Sequence, residues 1–124
     1  MVIRSVIAFL VAMLLLNGCD LPIPPDARLH DKPPVTTGYF VMPDGTGLPY
    51  RAWLPDGQPR AVVLALHGMN DSRDAWEYPA PDFVAAGIAL YAPDQRGFGT
   101  NPDRGLWPGR VQMASDARHM ALLL

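Results

Sequence analysis

Two apolar runs decide the fold, and each is followed by a polar loop that contains glycine. Residues 61–72 read Ala-Val-Val-Leu-Ala-Leu-His-Gly-Met-Asn-Asp-Ser, and residues 87–100 read Gly-Ile-Ala-Leu-Tyr-Ala-Pro-Asp-Gln-Arg-Gly-Phe-Gly-Thr. Continuous apolar runs of this length, bounded by turn residues, are typical of strands that are buried on both faces of a parallel sheet. We therefore expect residues 61–66 and 87–91 to form two buried strands.

The segment between these two runs is long enough for a crossover helix. Pro79 and Pro81 interrupt it, because proline removes a backbone donor and breaks the interior of a helix. We predict a broken helix, with one turn over residues 73–78 and a second helix over residues 81–86 that stops at Gly87. A strand, a helix and a second apolar strand imply a parallel pair joined by a right-handed crossover.

A predicted hairpin precedes the two apolar runs, and a predicted helix follows them. Residues 37–42 and 48–54 are rich in strand-forming side chains, and a turn signal beginning at Pro43 separates them. Residues 111–124 have apolar side chains at helical spacing, so we expect a helix with one apolar face. The members of that expected face are Met113, Ala117, Met120, Ala121 and Leu124.

The first eighteen residues are typical of an export signal. Arg4 precedes eleven consecutive apolar residues at positions 6–16. Such a run matches the apolar region of a secretory signal and is shorter than the ~20 residues that span a bilayer as a permanent helix. We expect residues 1–18 to be a signal peptide. A buried helix or an ordinary secretory signal remain the alternatives.

The residues around the single cysteine make the signal more specific. Leu16-Asn17-Gly18-Cys19 resembles the lipobox of bacterial lipoproteins. The resemblance implies that the signal is cut before Cys19 and that its sulfur carries a diacylglyceryl group, which would make the bacterial membrane a partner. By the same resemblance, Asp20 directs the protein to the inner membrane, facing the periplasm. A single thiol cannot build a disulfide framework or a zinc cage, which is consistent with lipidation.

Residues 19–37 form a predicted tether between this anchor and the folded domain. They contain five prolines, and proline-rich segments favour extended, semi-rigid conformations. The predicted organisation is a signal peptide over residues 1–18, a tether over 19–37 and a folded domain over 38–124.

The order of the loops and strands resembles a known family. A buried strand followed by His67-Gly68, a crossover helix, and a second strand followed by Asp94-x-Arg96-Gly97-x-Gly99 is similar to the α/β-hydrolases. It resembles in particular the monoacylglycerol-lipase-like, lysophospholipase-like and serine-aminopeptidase-like members of this family, and the resemblance covers residues 38–124. The implied fold class is α/β, specifically the N-terminal part of an α/β-hydrolase fold, incomplete, with a hairpin followed by parallel strands and a crossover helix.

The resemblance also implies roles for the two loops. The backbone N–H of Met69 would be one donor of an oxyanion hole, in which an N–H stabilises the negative oxygen of a tetrahedral intermediate. His67 and Gly68 would shape that loop, with His67 ordering it through hydrogen bonds instead of acting as the general base. The second loop would have a structural role beside the site. Its residues are Asp94, Arg96, Gly97 and Gly99.

The nucleophile of the family is missing from the sequence. It lies in a G-x-S-x-G turn, whereas Ser5, Ser72 and Ser115 have no such glycines and Ser72 is better explained as a helix cap. We therefore expect a Ser-His-Asp triad beyond residue 124. The predicted function is that of an N-terminal fragment of a membrane-anchored serine hydrolase acting on a small carboxylic ester, an acylglycerol or a lysophospholipid. The fragment itself is expected to be inactive.

Two alternatives stay open at this stage, and composition excludes a third class. The chain could be a short non-catalytic lipoprotein that binds a ligand, or a relative of the epoxide hydrolases and dehalogenases, which use an aspartate nucleophile and usually have His-Gly-x-Pro where this chain has Asn70. Of the 124 residues, 49% are hydrophobic and the net charge is −2, which permits a packed core but offers no basic field for nucleic acid. No cofactor and no metal site are expected.

Overall fold

The computed structural model describes residues 32–124, so the predicted signal peptide, Cys19 and most of the predicted tether lie outside the described residues. Within this part of the chain the strands are β1 (Val35–Val41), β2 (Gly47–Trp53), β3 (Ala61–Leu64) and β4 (Ile88–Pro93). The helical elements are a 3-10 helix (Arg73–Trp76), α1 (Ala80–Ala85) and α2 (Arg110–Leu123). β1 starts inside the predicted tether, because residues 35–37 are β-branched and pair with β2.

The strands form one sheet in the order β1-β2-β4-β3. β1 and β2 pair as the predicted hairpin, and β2 pairs with β4 in an antiparallel arrangement. β3 and β4 are parallel, with Val63 opposite Leu90, and the 3-10 helix and α1 lie between them in the chain. The α/β class predicted from the sequence, with a hairpin followed by parallel strands and a crossover helix, is confirmed. Because β3 and β4 are parallel, the loops that follow them emerge at the same edge of the sheet, the one formed by the carboxyl ends of these strands.

Alternation along the strands gives the sheet two apolar faces. On one face Trp53 and Leu90 pack with Ala80 of α1, and Phe83 and the ring of Trp76 lie against them. On the other face Met120 of α2 packs with side chains from the hairpin, namely Phe40, Met42 and Leu48. Burying one large apolar side chain contributes about 1.5–3 kcal/mol. Helical segments therefore cover both faces of the sheet.

The broken crossover helix is confirmed, and its ends follow local chemistry. The hydroxyl of Ser72 accepts from the backbone N–H of Asp74 (3.3 Å) and caps the 3-10 helix, as expected. α1 is followed by Gly87 at φ +73°, a left-handed conformation that glycine adopts without strain. No helix in residues 32–124 has the length and apolar character required to span a membrane.

Two expectations about burial are wrong. β3 was expected to be buried on both faces, but it ends at Leu64 and lies at the edge of the described sheet, so Val62 is 44% exposed. In α2 the expected apolar face fails at its C-terminal part, since Ala121 and Leu124 are exposed. The inward face of α2 instead includes the buried Asp116, because an arginine from the loop after β4 reaches it.

Candidate active site

The loops after β3 and β4 are joined through His67. The backbone N–H of Gln95 donates to His67 Nε2 (3.0 Å), and the side-chain amide of Gln95 donates to the carbonyl of His67 (2.7 Å). His67 Nδ1 lies 2.8 Å from the carbonyl of Gly68. A ring nitrogen that accepts from an amide carries no proton, so the proton is on Nδ1, which donates to Gly68. Three hydrogen bonds thus fix His67 and the first loop.

This geometry bears directly on what His67 can do. Both of its ring nitrogens are already used, and its side chain is buried against Phe98, with ring centroids 5.6 Å apart. A general base needs a free nitrogen within reach of a substrate proton. The arrangement therefore agrees with the interpretation of His67 as a residue that orders the loop.

Met69 lies at the exposed tip of the loop that His67 holds. Its side chain is 70% exposed, and its backbone N–H meets no acceptor within residues 32–124. The turn closes behind it through the N–H of Asp71, which donates to the carbonyl of Gly68 (3.3 Å). Asn70 adopts φ +58°, the left-handed region that asparagine tolerates better than most residues. A free N–H on a fixed loop is the kind of donor that an oxyanion hole requires.

Asp94 is fully buried and organises the start of the second loop. One carboxylate oxygen accepts from the N–H of Arg73 (2.8 Å), and the other accepts from the N–H and the hydroxyl of Thr100 (2.8 Å each). The guanidinium of Arg73 lies 3.5 Å away. Burial, the largest single effect, raises the pKa of Asp94. The amides of Arg73 and Thr100, the Thr100 hydroxyl and the Arg73 charge together outweigh it and lower the pKa below its ordinary value. Asp94 is thus a carboxylate at neutral pH, inside a ring of donors.

Two glycines make room for this arrangement. Gly99 adopts φ +59°, and a Cβ there would lie 2.1 Å from the carboxyl carbon of Asp94. Gly97 adopts φ +81°, and a Cβ there would lie 2.2 Å from the carbonyl oxygen of Leu106. Both positions therefore require glycine for conformation and for space.

Arg96 ties the second loop to two distant elements. Its Nε and Nη2 donate to the two carboxylate oxygens of Asp116 in α2 (2.7 and 3.1 Å). Its Nη1 donates to the hydroxyl of Thr46 (2.8 Å) and lies 2.9 Å from a carboxylate oxygen of Asp44, both in the turn between β1 and β2. The hydrogen bond to Asp116 is the main reason that the pKa of Arg96 rises above its ordinary value. Asp94 and Arg96 thus each pair with a partner outside their loop, not with each other.

Three residues of the site were not foreseen in the sequence. Gln95 makes the contacts to His67, Asp116 receives Arg96, and the side-chain amide of Asn101 donates to the carbonyls of Asp94, Gln95 and Phe98 (3.2, 2.9 and 2.9 Å). The sequence did contain a signal for the role of Asp116, since this carboxylate lies between Met113 and Met120 on an otherwise apolar helix face. Gln95 and Asn101 lie in a loop, where spacing gives no comparable signal.

The two loops border an open cleft of about 310 Å³. Met69 and Asn70 of the first loop line it together with Phe98, Leu106 and Trp107. Its lining combines apolar side chains with backbone from both loops, as small-molecule sites commonly do. Within residues 32–124, no three His, Cys, Asp or Glu side chains come together to hold a metal ion. Ser72 caps the 3-10 helix and Ser115 is exposed on α2, so neither is placed as a nucleophile beside the cleft.

A protein-family comparison matches most of this region. Residues 57–123 match the model of the family described as serine aminopeptidase, S33. A monoacylglycerol lipase from Mycolicibacterium smegmatis is 40% identical over 60 residues, which are 48% of this chain and 21% of the lipase. An epoxide hydrolase from Neurospora crassa is 37% identical over 81 residues, which are 60% of this chain and 23% of that enzyme. The chain therefore spans between a fifth and a quarter of the length of these two relatives.

Solved structures confirm the fold predicted from the sequence, the N-terminal part of an α/β-hydrolase fold. A thermostable carboxyl esterase from Bacillus coagulans, solved in complex with glycerol, aligns with a TM-score of 0.60 at 23% identity, over 72% of this chain and 31% of the esterase. At this level of identity the similarity supports the fold alone.

Proposed function

The chain belongs to the serine aminopeptidase S33 family of the α/β-hydrolases, and from that premise we propose that residues 38–124 are the N-terminal part of a serine hydrolase that cleaves carboxylic esters. One observation carries the proposal. The N–H of Met69 is unpaired within residues 32–124, on a loop fixed by His67 and Gln95, at the edge where the parallel strands end. In this proposal that N–H donates to the oxyanion of the tetrahedral intermediate, and the residue after the nucleophile supplies the second donor.

The triad is proposed to lie beyond residue 124. The serines of this chain are Ser5, Ser72 and Ser115, and none is part of a G-x-S-x-G turn. The short coverage of both relatives, 21% and 23% of their lengths, supports the proposal that more protein is needed for activity. Residues 1–124 alone are accordingly proposed to be inactive, and reading the gene past the Leu124 codon tests this directly. A frame that encodes G-x-S-x-G is expected, and a stop codon there would contradict the proposal.

The proposed substrate is a small ester with an apolar acyl group, such as an acylglycerol or a lysophospholipid. The cleft beside Met69 is lined by Phe98, Leu106 and Trp107, whose side chains suit an acyl chain better than a charged group. A relative named monoacylglycerol lipase supports the same class.

Epoxide hydrolysis is a second candidate, since one relative carries that name. The backbone of the first loop disfavours it. Enzymes with an aspartate nucleophile usually have His-Gly-x-Pro here, but residue 70 adopts φ +58° and proline is locked near −65°. The loop of this chain therefore has a conformation that the proline motif cannot adopt, and the serine hydrolase is the better supported candidate.

A fluorophosphonate probe separates the two candidates. It phosphonylates an activated serine and displaces fluoride, whereas an aspartate nucleophile does not give a stable adduct. The protein encoded by the whole reading frame is expected to be labelled on a serine beyond residue 124, and residues 1–124 alone are expected to stay unlabelled. Absence of label on the whole protein, together with turnover of an epoxide, would establish the second candidate instead.

Membrane anchoring through Cys19 completes the proposal. The lipobox-like residues 16–19 support lipidation, and about 0.8 kcal/mol per buried CH₂ makes two or more acyl chains a stable anchor. Asp20 supports the inner membrane, facing the periplasm. Cells grown with labelled palmitate should give labelled protein, and the Cys19→Ser variant should carry no label. A labelled Cys19→Ser protein would refute the assignment.

A further inference from the structure

The segment of residues 104–111, called here the Leu-Trp loop, exposes two large apolar side chains next to each other. It reads Arg-Gly-Leu-Trp-Pro-Gly-Arg-Val. Leu106 is 69% exposed and Trp107 is 58% exposed. Both side chains border the cleft beside Met69.

The exposure of these side chains is fixed by the loop that carries them. The N–H of Gly105 donates to the carbonyl of Gly97 (2.8 Å), and the N–H of Leu106 donates to the carbonyl of Asp103 (3.0 Å). The ring of Trp107 packs edge-on against Phe98, with centroids 6.3 Å apart. The loop is therefore held against the second site loop while its apolar tip faces outward.

Positive charge flanks the apolar tip. Arg104 and Arg110 lie two and three residues from it, both are exposed, and neither forms an ion pair within residues 32–124. Residues 104–111 contain these two arginines and no acidic residue, so the Leu-Trp loop is cationic in a chain whose net charge is −2. Tryptophan favours the headgroup region of a bilayer, and nearby arginines attract anionic lipids. The apolar tip and its two cations together complement an anionic bilayer surface.

We propose that the Leu-Trp loop inserts into the surface of a bilayer that contains anionic phospholipid. Leu106 and Trp107 enter the headgroup region, and Arg104 and Arg110 pair with lipid phosphates. Because Leu106 and Trp107 also line the cleft beside Met69, insertion places the mouth of the cleft at the lipid surface. The inference goes beyond the proposed function, since insertion requires neither a nucleophile nor a lipid on Cys19.

Tryptophan fluorescence tests the insertion directly. The chain of residues 1–124, with the Cys19→Ser substitution, is mixed with phosphatidylglycerol vesicles. The acyl chains of these lipids are brominated near the headgroup. Trp53 is buried and Trp76 is partly buried against the core, whereas Trp107 is 58% exposed, so quenching that the Trp107→Ala variant loses reports on Trp107. Part of the emission should be quenched, and the Trp107→Ala variant should lose this quenching. Because the readout is the position of Trp107, membrane binding by the apolar N-terminal residues does not imitate it.

Charge variants test the lipid specificity. An arginine near an anionic surface strengthens binding by about fivefold, so combining Arg104→Gln with Arg110→Gln should weaken insertion roughly 25-fold. Arg118→Gln removes a charge from the exposed surface of α2 and should change nothing. Three results would overturn the proposal: no quenching of Trp107, equal quenching in brominated phosphatidylcholine vesicles, or burial of Trp107 by self-association without vesicles. Since none of these measurements needs ester hydrolysis, failure here is distinct from failure of the proposed function.

Discussion

At the scale of single residues, the second loop depends on glycine at one crowded position. Gly99 lies over the buried carboxylate of Asp94 in a left-handed conformation. Gly57 has a similar conformation, φ +75°, but nothing lies within 4 Å of a Cβ there. Comparing substitutions at Gly99 and Gly57 therefore separates the free-energy cost of crowding from the cost of the left-handed backbone conformation.

Gly99→Ala is expected to destabilise the chain much more than Gly57→Ala. Left-handed backbone costs a non-glycine residue about 1–2 kcal/mol, and overpacking adds about 1–3 kcal/mol at position 99 only. Unfolding in urea, followed by circular dichroism, measures both variants. Equal losses of unfolding free energy would show that Asp94 is not seated under Gly99.

Asp94 should also contribute to the pH dependence of the unfolding free energy of the chain. Its pKa is lowered in the folded state, so its stabilising effect is complete above the unfolded value of about 3.9 and is lost as the pH falls through the folded value. Asp94→Asn places an NH₂ group against the amides of Arg73 and Thr100 and should cost about 1–3 kcal/mol at neutral pH. The difference between the two proteins in unfolding free energy should shrink below pH ~4. A difference that stays constant through this range would contradict the assigned pKa shift.

At the scale of elements, Arg96 connects three of them. It joins the loop after β4 to α2 through Asp116 and to the turn between β1 and β2 through Asp44 and Thr46. The side chain of Asp116 is 4% exposed, with Arg96 as its ion-pair partner and the Gln112 amide as a further donor (2.8 Å). The backbone N–H of Thr46, followed by Arg96, lowers the pKa of Asp44 to about 2.

Arg96→Gln is therefore expected to cost about 3–5 kcal/mol in unfolding free energy, the usual effect of leaving a buried charge unpaired. The matched control is Asp74→Asn, which removes one of the two carboxylate partners of Arg51 (2.7 Å), and the Asp74 side chain is itself 61% exposed. Exposed pairs contribute about 0–1 kcal/mol, so this variant should unfold almost like the unaltered chain. Similar losses in the two variants would mean that the Gln112 amide, which already donates to Asp116, or water is enough to stabilise this carboxylate.

The elements were largely predictable from the sequence, and the contacts between them were not. The runs at 61–66 and 87–91, with Pro79 and Pro81 between them, indicated two parallel strands and a broken helix because these signals are local. The burial of β3 was mispredicted because position in a sheet is set by pairing, which a run of apolar residues does not encode. The role of Gln95 depends on two loops that meet only after folding, so no spacing could reveal it.

At the scale of the whole molecule, the described residues form a sheet with helices on both faces and two site loops at one edge. The family and the fold are shown for this part of the chain. The catalytic serine, the membrane anchor and the substrate are proposals that extend from it. The anchor rests on residues 16–19, whereas the serine and the substrate share the premise that the Met69 amide is held ready to donate to a substrate oxygen.

One measurement tests this premise most directly, namely the turnover of a short p-nitrophenyl ester by the protein that the whole reading frame encodes. Met69→Pro removes the N–H, and Gly68 before it tolerates the backbone restriction that proline imposes. Met69→Ala keeps the N–H and removes the side chain. Met69→Pro is expected to lower kcat by about 10²–10³, with KM little changed, while Met69→Ala stays close to the unaltered enzyme. A Met69→Pro enzyme that folds and keeps the kcat of Met69→Ala would contradict the account.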